Sequence, residues 1–482
     1  VTDVLLVNGP FVPNFCRTQR WAARTRGRVL RAPDWLAYAT AVCERRGLEA
    51  RLYDFPARGW DAARLGTLCR ELAPRWVVLD TTTPSLQADL ACARRCQEAG
   101  ARVLLCGPHA SAVPEETLAA AAGAADAVAI GEYDETIADA VTAPDLAGVP
   151  GLCIHGPGGA PVRTAARPFI RDLDTLPFPA WHHLDLCDYF DGTKLYPYID
   201  VVTGRGCPYR CAFCLWPQVM HGHLHRARRV DAIVDEIEHD VGLCPQVVQG
   251  GEFFFEDDTF TVRPSHAHAV CDEIIRRDLG ITFSVNARAD ADLDLLRHLK
   301  AAGCRMLVVG FESADPAILD GVHKGTTPEM GQRLARAARD LGLDVHGCFV
   351  LGLPGETRAS LARTLDYALA LGLSTVQFSA AVPFPGTAYY TDCQTRGVLR
   401  ARSYTDWLDD GEQGSVVEEP GLSRAEINAA VNGALRRFYF RPRYMLEFLV
   451  KTRGRADLYR KLRGLWNFGS FLVEHARRRA GG

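Results

Sequence analysis

The chain has 482 residues, 48% of them hydrophobic and 23% charged, with a formal net charge of -3. At roughly 150 residues per domain that length accommodates two or three domains of ordinary globular balance. A near-neutral chain carries no electrostatic footprint for nucleic acid or an anionic membrane surface, so neither is an expected partner. Short arginine runs, such as the one from Arg226 to Arg229, read as solvated faces. The 16 cysteines are too dispersed for a small disulfide-stapled scaffold. Those at 69, 92, 96, 106, 271, 304 and 348 lie in apolar patterns and read as small buried hydrophobes in a reducing compartment. With no secretory h-region and no long apolar run, the expectation is a cytoplasmic enzyme.

In chain order, residues 1–145 alternate short apolar runs with helical patterns. Strand candidates are 4–7, 50–53, 76–79, 102–105 and 127–130, with helices over 34–46, 60–72, 85–98 and 114–124 and another after Glu132. This predicts a Rossmann-like domain with an open parallel α/β sheet. Such sheets bind ligands at the carboxyl ends of their strands. The residues there are Asn8 and Pro10; Thr81, Thr82, Thr83 and Ser85; Gly107, Pro108 and His109; and Gly131 and Glu132. They are either plain turn residues or the cradle of a large phosphate- or amide-bearing ligand. The absence of GxGxxG disfavours a nicotinamide site.

Residues 146–196 read as a linker, with a turn at 156–159 and an extended Leu-Pro-Phe-Pro segment at 176–179. Trp181, His182 and His183 follow. In an extended chain the two adjacent histidines point to opposite sides, which favours structural or substrate-facing roles over a shared metal. Residues 197–395 show six strand candidates, near 198–203, 246–251, 281–286, 305–311, 345–351 and 375–380. Helix patterns follow the first five, over 230–241, 265–278, 291–303, 328–342 and 358–371. The expectation is a partial (β/α)6 barrel or a second open sheet. Residues 396–482 are mostly helical, with fraying expected from His475 to Gly482.

The loop after the first barrel strand reads Gly204-Arg205-Gly206-Cys207-Pro208-Tyr209-Arg210-Cys211-Ala212-Phe213-Cys214. Three thiolates on a short loop suit a soft metal. A structural zinc needs a fourth ligand, for which His221, His223 and His225 are downstream. A redox dithiol needs only two cysteines. Three cysteines suit a [4Fe–4S] cubane that leaves one iron open to a small chelating ligand.

The CxxxCxxC spacing, with Phe213 before its last cysteine, resembles the cluster loop of radical S-adenosylmethionine (SAM) enzymes. The resemblance implies that the open iron binds SAM, and that an electron from a flavodoxin- or ferredoxin-type donor yields a 5′-deoxyadenosyl radical. It implies SAM contacts from Phe213, Glu252, Glu256, Asp258, Asn286, Arg288, Glu312 and Leu351. Helix capping is the plain alternative for Asp257, Asp258 and Thr259. The turn Lys324-Gly325-Thr326-Thr327, the strand motif over 349–357 and the loop over 383–387 also resemble the family.

The Gly107-Pro108-His109, Pro114–Thr117, Gly131-Glu132 and 171–180 segments resemble the subclass with an N-terminal cobalamin-binding domain. The chain lacks Asp-x-His-x-x-Gly, so His109 is not assigned as a cobalt ligand. The Gly-Arg-Gly-Cys entry, Cys214-Leu215-Trp216-Pro217-Gln218 and Phe438-Tyr439-x-Arg441-Pro442 resemble one branch of that subclass. It holds hopanoid-biosynthesis proteins, anaerobic magnesium-protoporphyrin cyclases and phosphinate P-methyltransferases. The activity implied is methyl transfer from SAM through methylcobalamin to a carbon or phosphinate phosphorus of a small polar metabolite. The alternative is a cobalamin-dependent cyclase or ring-rearranging enzyme. Trp181, His182, Trp216, Gln218, His221 and His223 are the substrate-facing candidates, or else seal the domain seam. A non-catalytic sensor would need an output module, and none is evident.

Overall fold

Five apolar runs in the first 130 residues become the parallel part of a seven-stranded sheet in the computed structural model, which describes residues 2–18, 22–409, 411–450, 452 and 454–481. These strands are β1 (Val4–Asn8), β2 (Ala50–Asp54), β3 (Trp76–Asp80), β4 (Arg102–Cys106) and β5 (Ala127–Ala129). Helices α1 (Asp34–Arg45), α2 (Ala62–Leu72), α3 (Leu86–Glu98) and α4 (Asp134–Thr142) are their crossovers and cover. Because helices pack on both faces, β1 and β3 are buried at every residue and show no alternation.

The sheet order is β2-β1-β3-β4-β5-β6-β7. Strands β6 (Leu152–His155) and β7 (Pro161–Arg163) add an antiparallel hairpin. Both lie in the stretch expected to be a linker. The 156–159 turn is the tip of that hairpin, where Gly158 and Gly159 take the left-handed φ of 76° and 81° that the reversal requires.

The second sheet is parallel and runs in sequence order. It comprises β8 (Tyr198–Val201), β9 (Glu252–Phe255), β10 (Phe283–Arg288), β11 (Cys304–Glu312), β12 (Asp344–Leu351) and β13 (Thr375–Ala380). Helices α5 (Val230–Leu243), α6 (Pro264–Arg276), α7 (Leu293–Ala301), α8 (Pro328–Asp340) and α9 (Arg358–Ala370) follow the first five strands. The strand expected over 246–251 instead begins at Glu252. Residues 245–247 form a 3-10 turn, and a Cβ on Gly251 would lie 2.1 Å from the Pro197 carbonyl oxygen. The glycines thus carry the chain past β8, and Phe253, Phe254 and Phe255 supply the fully buried strand.

The tail contains α10 (Arg424–Tyr439), α11 (Pro442–Val450) and α12 (Gly454–Gly481). The last helix runs through most of the stretch expected to fray. Tyr439 covers the open edge of the sheet: its hydroxyl donates to the Val376 carbonyl at 2.6 Å and accepts from the Val376 N–H at 3.0 Å. No described helix is long and apolar enough to cross a membrane. None of the cysteines is in a disulfide.

Buried ion pairs join the two sheets. Arg205 donates to both oxygens of Asp134 at 2.8 and 3.0 Å. Arg226 donates to both oxygens of Glu132 at 2.8 and 2.6 Å. Within the barrel, Arg228 pairs with the fully buried Glu236 of α5 at 2.6 Å. The arginine run is therefore not a solvated face, and only Arg229 in it is exposed. Each buried guanidinium has a carboxylate to offset its desolvation.

Candidate functional site

The cysteine loop leaves the carboxyl end of β8 and is fixed by the loop after β9. Asp257 accepts the N–H groups of Thr203 at 2.6 Å and Gly204 at 3.0 Å. Asp258 accepts the N–H of Gly206 at 3.0 Å. These carboxylates brace the entry to the cysteine loop and do not cap a helix. Gly206 has a φ of 87°, and a Cβ there would lie 2.3 Å from the Leu224 carbonyl oxygen. Downstream, the Gln218 amide nitrogen donates to the carbonyls of Cys211, Ala212 and Cys214 at 3.3, 3.1 and 2.7 Å. Its oxygen accepts from the Ala388 N–H at 2.8 Å. Backbone bonds from Ala212 to Val322 and from Tyr389 to Ala212 complete the frame.

Cys207, Cys211 and Cys214 line a cavity of about 660 Å³ together with Phe213, Glu256, Asp258, Asn286, Arg288, Glu312 and Lys324. Glu312 ends β11 with a left-handed φ of 63°, which a non-glycine residue adopts at a cost of about 1–3 kcal/mol. Its carboxylate accepts from the Lys324 ammonium at 2.6 Å. Burial pulls the Lys324 pKa down, but Glu312 and Cys211 more than offset it, so the ammonium stays charged. The Arg288 guanidinium lies 3.5 Å from the Tyr209 ring centroid and donates to the Lys324 carbonyl at 2.8 Å. Lys324 and Tyr209 were legible only as a turn and a loop aromatic.

Thiolates on one tetrahedral ion with bonds of about 2.3 Å lie about 3.8 Å apart. Among the described residues, the three cysteines do not form a group whose ligand atoms all lie within 4.8 Å of one another. A cubane spreads its thiolates over separate corners, so this donor set fits a multi-iron cluster and not a single zinc ion.

Other candidates sit elsewhere. Glu252 begins β9, at the end away from the cysteine loop, and accepts from Arg305 at 2.7 and 3.0 Å and from Ser284 at 3.1 Å. The register shift of β9 is what moves it there. Leu351 is buried at the end of β12 but is not among the cavity-lining residues, whereas Val350 is. Trp181 is fully buried in the core. His182 is exposed and meets Glu44. Gln218 is committed to the cysteine loop. Trp216 and His221 stack at 5.5 Å and pack against Trp35 of the first sheet's α1 at 5.7 and 4.4 Å. They seal the seam and do not line the cavity. His223 lies 3.1 Å from the Cys207 carbonyl.

At the carboxyl edge of the first sheet, Asn8 donates to Asp54 at 3.0 Å, and Arg17 bonds Asn8 and Asp89 at 3.0 and 2.7 Å. Thr82, Ser85 and Asp89 form a linked set. The Gly131 N–H donates to Ser111 at 2.9 Å, and Glu132 is paired with Arg226. None of the residues assigned to this edge (Pro10, Thr81 and Pro108 included) lines the large cavity. Thr83 meets His109 Nδ1 at 3.1 Å, while the buried Nε2 has no partner. Burial lowers the His109 pKa to about 4, so the ring is neutral at pH 7. An unpartnered buried ring nitrogen beside Gly107, whose φ is 98°, fits an edge completed by an amide-bearing ligand such as cobalamin. The helical turn Pro108–Ala112 of this edge packs against Pro217–His221, just after the cysteine loop.

Residues 201–368 match the Radical SAM superfamily. The radical SAM segment thus spans the cysteine loop and strands β9 to β12. The chain is 26% identical to an uncharacterized methyltransferase of Pyrococcus horikoshii, over 90% of this chain and 93% of that protein. It is 30% identical, over 54% of its length, to the anaerobic magnesium-protoporphyrin IX monomethyl ester cyclase of Rubrivivax gelatinosus, and spans 47% of that protein. The radical SAM methyltransferase TsrM of Kitasatospora setae, solved with cobalamin and a [4Fe–4S] cluster bound, has a similar structure. Its TM-score is 0.71 at 19% identity, covering 98% of this chain and 100% of that one. The chain has the fold of cobalamin-binding radical SAM proteins and is related to radical SAM methyltransferases and cyclases.

Proposed function

We propose that the chain is a cobalamin-dependent radical SAM methyltransferase acting on a small polar metabolite, at a carbon or at a phosphinate phosphorus. The observation that carries this reading is the convergence of the three cysteines and Glu312 on one cavity, with the Gly107–His109 edge of the first sheet packed just behind the cysteine loop. Cys207, Cys211 and Cys214 would hold a [4Fe–4S] cluster. Glu312, Asn286, Arg288, Glu256 and Asp258 would hold SAM, and the first sheet's edge would hold cobalamin. Bound there, the cluster would supply one-electron reduction of the SAM sulfonium and cobalamin would supply methyl-carrying chemistry. The chain itself keeps the thiolates in place through Gln218, Asp257 and Asp258. It pairs Glu312 with Lys324, and the buried seam around Trp35, Trp216 and His221 keeps water from the first sheet's edge. A flavodoxin- or ferredoxin-type protein in the cytoplasm would be the electron donor.

The cyclase among the relatives gives a second reading, non-methylating ring chemistry on the same scaffold. Anaerobic reconstitution with methyl-labelled SAM and a panel of polar metabolites separates the two. Methyl transfer yields 5′-deoxyadenosine, S-adenosylhomocysteine and a product carrying the label. Ring chemistry yields 5′-deoxyadenosine and no labelled product. Replacement of Cys207, Cys211 or Cys214 by alanine removes iron and SAM cleavage while leaving cobalamin binding; retained iron with full SAM cleavage defeats both readings.

A further inference from the structure

Glu44, His182 and His183 form the one group of three or more metal-ligating side chains, among the described residues, whose ligand atoms all lie within 4.8 Å of one another. The sequence alone places the two histidines on opposite sides of an extended chain. In the structure Trp181–His183 is a turn of 3-10 helix, and the two rings lie tilted against each other, 4.4 Å between centroids with 39° between their planes. Both Nε2 atoms approach a single oxygen, Glu44 Oε1, at 3.0 Å from His182 and 2.8 Å from His183.

From this geometry we infer that Glu44, His182 and His183 bind a first-row divalent cation, zinc being the best match, which clamps the 146–196 segment to α1. Two imidazoles and a carboxylate are a donor set that suits zinc, and it is too nitrogen-rich for magnesium or calcium. Bonds of about 2.0–2.1 Å in a tetrahedral zinc site put neighbouring ligand atoms about 3.3–3.4 Å apart. The observed contacts therefore need to open by only about half an ångström. The ring positions are set in advance by packing. Trp181 is fully buried, and the Ala180 N–H donates to the Ala37 carbonyl of α1 at 3.1 Å, docking the turn one side of Glu44. Asp3 and Glu49 line the same depression but are paired with Arg75 and Arg51 at 3.2 and 2.9 Å, so the countercharge for the cation is the Glu44 carboxylate itself. His182 keeps 51% of its side chain exposed, which leaves a path for the ion and room for a water as fourth ligand.

The site is separate from the cysteine loop. Ala50, at the amino end of β2, lines the depression, so it lies at the opposite edge of the first sheet from Gly107–His109. The inference does not depend on the reaction proposed above.

The test is a cobalt(II) and zinc(II) titration of chelator-treated full-length protein carrying Cys207→Ala, Cys211→Ala and Cys214→Ala, repeated on the cluster-reconstituted wild-type chain. One equivalent binds, cobalt shows the visible bands of nitrogen–oxygen ligation without thiolate charge transfer, and zinc raises the melting temperature. His183→Ala and Glu44→Gln, selected for unchanged melting temperature in chelator, each weaken binding at least about tenfold and lose the zinc-induced shift. Equal affinity in these variants, or no bound equivalent in a folded wild-type chain, overturns the inference.

Discussion

Gln218 Nε2 donates to the carbonyl oxygen of Cys214 at 2.7 Å, four residues back along the chain. The same amide reaches Cys211 and Ala212, and its oxygen holds the Ala388 N–H. One side chain thus ties two of the three cysteines to the loop after β13.

Gln218→Ala removes several part-buried bonds worth about 0.5–1.5 kcal/mol each, while the Cys211 and Ala212 carbonyls keep the N–H donors of Cys214 and Tyr389. We expect the reconstituted variant to lose iron to a chelator several-fold faster than wild type. Gln218→Glu, which keeps the acceptor but loses the donor, should behave like the alanine variant. Iron release at the wild-type rate in both would remove Gln218 from this role.

Glu312 pairs with Lys324 at 2.6 Å inside the cavity. Charge-assisted bonds contribute about 1.5–3 kcal/mol. Glu312→Gln is therefore expected to weaken SAM binding roughly 10–100-fold at unchanged iron content. The measurement is SAM titration of the reduced cluster by electron paramagnetic resonance, with iron assayed alongside. Undiminished affinity would place SAM elsewhere.

Glu132 and Arg226 carry a different kind of weight. Both are buried, with contacts of 2.6 and 2.8 Å, and they join the first sheet to the barrel. Glu132→Gln leaves a buried guanidinium without its countercharge, which costs about 3–5 kcal/mol. A lowered melting temperature is expected, with loss of cooperativity between the two sheets in hydrogen exchange. A change below about 1 kcal/mol would mean that water reaches Arg226.

Asp80 closes β3, and burial pushes its carboxyl up to about 7, with Arg17 pulling the other way and Asp89 adding to the rise. The folded pKa lies above the ordinary aspartate value of 3.8. Its contribution to stability is therefore complete below pH about 4 and is lost as pH rises through about 7. Asp80→Asn should flatten that part of the stability profile and gain on the order of 1–3 kcal/mol relative to wild type near pH 8. Urea melts of anaerobic protein near pH 5.5 and pH 8 check the sign. A wild-type chain whose stability does not fall relative to the variant over that interval contradicts it.

Local pattern was enough for much of the architecture. Every strand of the parallel part of the first sheet, and five of the six in the second, follow from short apolar runs between helix periods, because burial on both faces demands such runs. The cysteine loop was legible from its spacing, and Asn286, Arg288 and Glu312 through the family resemblance; the fold brings all of them to one cavity. Tertiary structure alone decided the rest. Whether Arg226 faces water or Glu132 depends on a partner 94 residues away. The start of β9 depends on how closely Gly251 passes Pro197, and that shift sends Glu252 to Arg305. His182 and His183 converge because a 3-10 turn, docked on α1, replaces an extended chain. Charge pairing and close approach between distant segments leave no period in the sequence, so only the folded chain settles which side chains meet.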